Sequence, residues 1–262
     1  MERFTAGIFF DNDKEHIQYV GYCTGITCVK VGAIEDTGKQ LIKKFPDFVG
    51  FFELLSYEGQ VAYDGLVDTG KQKEEEYDKL SGIQEKHVQI CKTWLEKTNG
   101  LEKRVALFDF DRTLTMFEGL DANIIGVNGV TIEGLANYLF GGTKRVEMLE
   151  EMIDTLLENG VTIKVLTNNG LCGHPIQVIE RIAKTLHPDI EVLCSRPDDS
   201  IPAAAWPASK LLKLMGDKRF RSVCPTPEKL TAIATGQTAG KRKRTSKNRK
   251  NKKLTRRYRN RR

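Results

Sequence analysis

Residues 104–115 read Arg-Val-Ala-Leu-Phe-Asp-Phe-Asp-Arg-Thr-Leu-Thr, and this stretch restricts the fold more tightly than any other. Val105–Phe108 is a short run of strand formers, apolar at every position and closed by two acids. A half-exposed strand would alternate polar and apolar residues. A continuous apolar run belongs inside a parallel sheet covered on both faces. In such sheets ligands gather beyond the carboxyl ends of the strands, which is where Asp109 and Asp111 would stand. Two carboxylates this close repel unless a cation lies between them, and a hard divalent ion, Mg²⁺ above all, suits oxygen ligands. A lone Asp-x-Asp also serves as a cap for the turn that follows, so the rest of the chain has to decide.

The flanking sequence supplies more elements of the same kind. Phe4–Phe10 is a second buried-strand candidate, ending in Asp11-Asn12-Asp13; a helix is predicted from Lys14 to about Tyr22, and a third strand over Ile26–Val31. From Ser81 or Gly82, the positions Ile83, Val88, Ile90, Cys91, Trp94 and Leu95 give a helical stripe leading into the central strand. Thr143–Glu158 is a strongly amphipathic helix that Asn159-Gly160 should stop. A strand over residues 161–166 then runs into Thr167-Asn168-Asn169-Gly170, followed by a helix over Pro175–Thr185, a strand over Ile190–Cys194 and a helix from Ser209 to Met215. Residues 32–82 read as an insertion without evident chemistry: a short helix within Phe45–Tyr57, a loop or hairpin over Gly59–Gly70 and a charge run over Lys71–Glu76. Residues 116–142 carry six glycines and predict a small flap with one helix near Thr131–Leu139.

Asp109-Phe-Asp111-Arg-Thr113-Leu-Thr115, following an apolar strand, resembles the first signature of the haloacid dehalogenase-like (HAD) superfamily, which consists mostly of phosphotransferases and phosphatases. The strand ending in Thr167-Asn-Asn-Gly resembles the second signature, and Lys210, with Lys213 as the alternative, matches the lysine of the third. Phe4 to Val31 resembles the fourth, with Asp11 as its acid and Asp13 in reserve; Asn12 departs from it, since many members carry a second Asp there. That signature normally comes last. Here it comes first, which predicts a circularly permuted domain, a rearrangement tolerated when chain ends lie close together at the surface.

The resemblance implies an α/β fold, a Rossmann-like three-layer sandwich around a five-stranded, mainly parallel sheet. Its predicted strand order is 190–194, 161–166, 105–109, 4–10, 26–31. It implies a Mg²⁺-dependent phosphatase in which Asp109 is the nucleophile and Asp111 the general acid and base. Thr167, Asn168 and Lys210 would bind phosphate, while Asp109, Asp11 and the backbone carbonyl of Asp111 would hold the metal. The family inserts its large caps after the first signature, and the 27 residues available here allow only the flap. A catalytically weak or inactive HAD-like protein that binds nucleic acid or plays a structural part is the alternative.

Composition adds boundaries and partners. No 18-residue apolar run exists to span a membrane, and the first residues lack a secretory layout. The six cysteines are scattered without C-x-x-C spacing, which predicts buried free thiols in a reducing compartment rather than disulfides or zinc. The net charge of +6 is uneven: residues 241–262 hold 14 of the 41 Lys and Arg and no acid, so the remainder carries 27 bases against 35 acids, a balance of −8. The organisation expected is a catalytic domain over 1–224, a linker over 225–240 and a disordered basic tail over 241–262, for which nucleic acid or another polyanion is a natural partner. The tail resembles basic tails of proteins from large DNA viruses, and it also suits a nuclear address. The expected location is intracellular, cytoplasmic or nuclear.

Overall fold

The computed structural model describes residues 3–34, 80–116, 130–172, 177–195 and 208–220. Strand β1 (Ala6–Asp11) leads through helix α1 (Lys14–Thr24) to β2 (Thr27–Lys30); α2 (Glu85–Lys97) precedes β3 (Arg104–Phe108). A wide turn over Phe110–Leu114 follows, then α3 (Ile132–Leu139), α4 (Thr143–Glu158), β4 (Val161–Thr167), α5 (Val178–Leu186), β5 (Glu191–Cys194) and α6 (Ser209–Gly216). The five strands are all parallel, in the order β2-β1-β3-β4-β5. This is the order the sequence predicts, and it places the first strand of the chain beside its central one.

The apolar runs explain why β1 and β3 lie in the interior. Every residue of β3 is buried, as are Gly7 to Asp11 of β1. Successive side chains point to opposite faces, and both faces are covered. Ile8, Phe10, Ala106 and Phe108 pack with the apolar sides of α2, α3, α4 and α5. Phe9, Val105 and Leu107 pack with Val20 and Cys23 of α1 and Leu211 and Leu214 of α6. The result is the expected three-layer sandwich, with four of these helices on one face and two on the other.

The elements differ from their sequence-based bounds in small ways. Helix α2 starts at Glu85, because Gln84 stays extended and exchanges capping hydrogen bonds with His87. Ile90 lies off the buried stripe and is 39% exposed. The chain leaves the sheet at Ile34 and returns at Leu80 at adjacent points: Ile34 N–H donates to the Leu80 carbonyl at 2.8 Å, and the Ser81 hydroxyl donates to the Gly32 carbonyl at 2.8 Å. The expectations for Phe45–Tyr57, Gly59–Gly70, the charge run, the linker and the tail fall outside the described residues, as does much of the flap. Its helix is present as α3, capped by the Thr131 hydroxyl, which accepts the Gly134 N–H at 3.0 Å.

The expectation of free thiols is corrected. Cys172 and Cys194 form a disulfide, Cys23 is disulfide-bonded as well, and Cys28 and Cys91 are free. The pairing is set by topology and leaves no local spacing signal. Register places Thr167 opposite Cys194, and the turn after β4 brings Cys172 back until the two Cα atoms are 5.4 Å apart.

Arg145, in the first turn of α4, is 1% exposed and holds three segments together. Its guanidinium donates to the carbonyls of Ile83 (3.2 Å), Thr113 (3.2 Å), Leu114 (2.7 Å) and Phe140 (2.6 Å). These carbonyls belong to the start of α2, the turn after β3 and the end of α3. Burial pushes the Arg145 pKa down to about 9, so the group is still charged at neutral pH. Gly141 makes room for this junction: its φ is +88°, and a Cβ there would meet the Met116 sulfur at 1.9 Å. Arg145→Met should strand these carbonyls and cost on the order of 3 kcal/mol or more. Thermal denaturation should show a Tm lower by roughly 6–12 °C; a shift under about 2 °C would mean that the carbonyls find other donors.

Candidate active site

Register builds the site. Phe10 pairs with Phe108, so Asp11 and Asp109, each the next residue, emerge side by side at the carboxyl end of the sheet. The Asp109 N–H donates to the Phe10 carbonyl at 2.9 Å, fixing that alignment. Beyond Asp109 the chain makes one wide turn, closed by Leu114 N–H to the Asp109 carbonyl (3.2 Å) and Thr115 N–H to the Phe110 carbonyl (3.0 Å). Asp111 and Arg112 depart from helical geometry inside it, and Arg112 takes φ +55°. The two threonines of the motif have visible jobs. Thr113 Oγ1 lies 3.4 Å from Asp109 Oδ2, and Thr115 Oγ1 donates to the Phe110 carbonyl at 3.0 Å.

Lys210 joins the carboxylates. It lies in the first turn of α6, on the same buried face as Leu211 and Leu214, and is 2% exposed. Its ammonium sits 2.7 Å from Asp11 Oδ2 and 2.5 Å from Asp109 Oδ1. The cation between the two acids is therefore this lysine. Lys213, the alternative, is exposed and lies off the buried face. Asp13, the reserve acid, is also exposed; its carboxylate caps α1 by accepting the N–H groups of Glu15 and His16.

The turn after β4 completes the arrangement. Thr167 is fully buried, and its hydroxyl accepts the Asn169 N–H at 3.0 Å. Asn169 donates its amide to both Asp111 carboxylate oxygens, at 2.9 and 3.0 Å, and accepts Leu171 N–H at 2.9 Å. Asn168 Oδ1 accepts the hydroxyls of Ser195 and Ser209, each at 2.7 Å, and its Nδ2 lies 3.2 Å from His16 Nε2. All the predicted site residues thus meet at one end of the sheet. Sequence reasoning did not single out Asn169, His16, Ser195 or Ser209. Asn169 and His16 stood inside stretches already read as motifs, and Ser209 stood next to Lys210. Ser195 follows a strand end and carries no signal of its own.

The electrostatics are unbalanced. For Asp11, burial pulls the pKa up, but the Lys210 ammonium, helped by His16, outweighs it and holds the carboxyl below its ordinary value. For Lys210, burial pulls down, but Asp109 and Asp11 outweigh it and the ammonium is held above its usual range. For Asp109, burial pushes the carboxyl well above its ordinary value; Lys210 opposes, while Asp11 and Asp111 push the same way. Burial thus leaves Asp109 the carboxylate that is hardest to ionise, in spite of its contact with Lys210.

Hard oxygen donors short of positive charge are what Mg²⁺ binds. Among the described residues, no cluster of three or more His, Cys, Asp or Glu side chains could hold a metal unaided. Mg²⁺ does not require one, since it commonly takes one or two carboxylates and keeps water and phosphate oxygens for its other positions. Asp11 and Asp109 fit that role. Among the described residues no helix is long and apolar enough to cross a membrane. No family model matches the chain, and neither a curated protein nor a solved structure shows detectable similarity to it.

The raised Asp109 pKa has a stability consequence with a definite sign. Between its ordinary value near 3.8 and its folded value, the folded state binds more protons than the unfolded one, so stability falls as pH rises through that window. Asp109→Asn removes this loss. Without added metal, the variant should melt above the wild type at neutral pH, by at least about 2 °C, with the gain vanishing near pH 4. A lower Tm at pH 7 would mean that the Lys210 contact outweighs the burial of the charge.

Proposed function

We propose that the chain is a HAD-like, Mg²⁺-dependent phosphatase that hydrolyses phosphomonoesters through an aspartyl-phosphate on Asp109. The observation that carries this reading is the Lys210 ammonium held between Asp11 and Asp109, beside a turn that presents Thr167 and Asn168 and holds Asp111. A second support is chain order. The strand ending in Asp11 comes first in sequence yet lies next to the strand ending in Asp109, as a permuted member of the family would require.

Phosphoryl transfer needs charge neutralised, a nucleophile in line and a proton managed at the leaving oxygen. In the first step an Asp109 carboxylate oxygen attacks phosphorus. The bond from phosphorus to the ester oxygen breaks, and Asp111 gives that oxygen its proton. In the second step Asp111 takes a proton from water, the water oxygen attacks phosphorus, and the acyl phosphate bond breaks to release inorganic phosphate and regenerate Asp109. Asn169, bonded to both Asp111 oxygens, sets where the acid points. Thr167, Asn168 and Lys210 meet the transferring oxygens. Mg²⁺, held by Asp109, Asp11 and the Asp111 backbone carbonyl, would supply positive charge against the phosphate.

The 27 residues after the first motif have room for a flap and not for a large cap, so a large substrate would reach the site, and the basic tail suits a macromolecular or nucleic-acid one. The intracellular placement, cytoplasmic or nuclear, now rests on that tail alone, because the cysteines no longer argue for a reducing compartment. Asn12 favours the second reading, a weak or inactive HAD-like protein that binds nucleic acid or serves a structural role. Turnover separates the two.

Mg²⁺-dependent hydrolysis of an aryl phosphate should be abolished by Asp109→Asn, together with any phosphoenzyme. Asp111→Asn should lower kcat by about 10²–10⁴-fold while Mg²⁺ still binds, because its contribution to the metal is a main-chain oxygen. Equal loss of metal binding in both variants would show Asp111 mis-assigned. No turnover in the wild type would favour the second reading.

Deleting 241–262 should leave aryl phosphate turnover unchanged and raise KM for a polyanionic substrate, most visibly at low salt. For every duplex phosphate that the tail neutralises, its removal should make the slope of log affinity against log salt shallower by about 0.9. Equal handling of nucleic acid by the truncated and full chains at roughly 50 mM salt would make the tail an address or a solubility device.

A further inference from the structure

We infer that His16 is a positioning residue of this site, tying the Asp11 carboxylate to the Asn168 amide so that cation and phosphate are met in one geometry. The inference rests on the phosphatase reading above. His16 sits in the first turn of α1, directly after the strand that delivers Asp11. Its neighbours Lys14 and Glu15 are exposed, as a surface helix expects, yet the His16 side chain is only 11% exposed. A polar ring held out of water needs partners to offset its desolvation.

Both ring nitrogens face the site. Nδ1 lies 3.3 Å from Asp11 Oδ2, buried and without an aligned hydrogen bond, and Nε2 lies 3.2 Å from Asn168 Nδ2. The Asp13 cap fixes the helix turn that aims the ring there, accepting the His16 N–H at 3.2 Å. Asn168 is oriented from its other end, where Oδ1 accepts the Ser195 and Ser209 hydroxyls.

These contacts close a circuit. Asp11 meets Lys210; Lys210 follows Ser209 in sequence; Ser209 holds Asn168; Asn168 meets His16; and His16 returns to Asp11. Helix α6 already ties the metal-side carboxylate to the phosphate-side turn by one route. His16 supplies the second route, across 152 residues of chain. A group with two independent tethers keeps its position when one partner is drawn toward a ligand. Outer contacts of this type commonly govern affinity by about 10–100-fold. An apolar side chain would fill the same space without either contact, so packing alone does not explain the imidazole.

Three full-length variants test the role, because the amide of Asn reaches the place of ring Nδ1 and that of Gln the place of Nε2. Calorimetry would follow MgCl₂ alone, and then inorganic phosphate with Mg²⁺ present. His16→Ala should weaken both by about ten-fold or more and lower kcat on an aryl phosphate, with Tm moving less than about 2 °C. His16→Asn should recover Mg²⁺ affinity and not phosphate affinity, and His16→Gln the reverse. A His16→Ala protein that binds both within about two-fold of wild type overturns the inference and leaves the phosphatase reading standing. So does a large fall in Tm with no recovery in either replacement, which would make the ring a packing element. A wild type that binds neither Mg²⁺ nor phosphate overturns both.

Discussion

An ammonium between two buried carboxylates is the contact around which the molecule is arranged. Asp11 and Asp109 emerge at the same level because β1 and β3 pair in register, and neither acid can retreat to water. Two such charges could not both be tolerated at that depth alone. Lys210 meets each of them, and to do so α6 must cross the sheet on the face opposite α2–α5 with its lysine turned inward. Burial above all keeps Asp109 resistant to ionising, with Asp11 and Asp111 pushing the same way against Lys210.

Around that centre the loops are fixed by groups that do no chemistry themselves. Asn169 holds Asp111 by both oxygens, and the disulfide from Cys172 to Cys194 pins the end of the same turn to the neighbouring strand. On the other side, the carbonyls of the turn after β3 are gathered by Arg145, so the segment carrying Asp111 is held from both ends. A side-chain amide, a disulfide and the Arg145 bonds to backbone carbonyls together hold these turns.

The sheet could be read from the sequence because its information is local. Apolar runs such as Val105–Phe108, closed by acids, specify buried parallel strands, and Thr143–Glu158 writes its own helical period and stop. The candidate site residues were legible for a related reason: Asp11 and Thr167 end strands, Asp109 follows one, and Lys210 lies in the first turn of a helix. What escaped was set by tertiary pairing. The disulfide depends on β4 and β5 lying in register. His16 and Asn169 look like ordinary helix and turn residues until the strands are side by side. Ile90 stands two residues after Val88 and one before Cys91, spacings that a helix does not stack on one face, and it is exposed. Lys210 was separable from Lys213 only by seeing which face of α6 is buried.

The site's parts are spread along the chain in a way that governs when it can exist. Lys210 lies 199 residues after Asp11 and 101 after Asp109. The first strand can pair with β2 early, but its other neighbour, β3, is synthesised some ninety residues later. Contacts of such long separation form late, once loop-closure entropy has been met. Until α6 docks, the two carboxylates face each other without their ammonium, which discourages a partly made chain from settling into a native-like sheet edge. A chain that stops short of Lys210 leaves Asp11 and Asp109 without the ammonium they share.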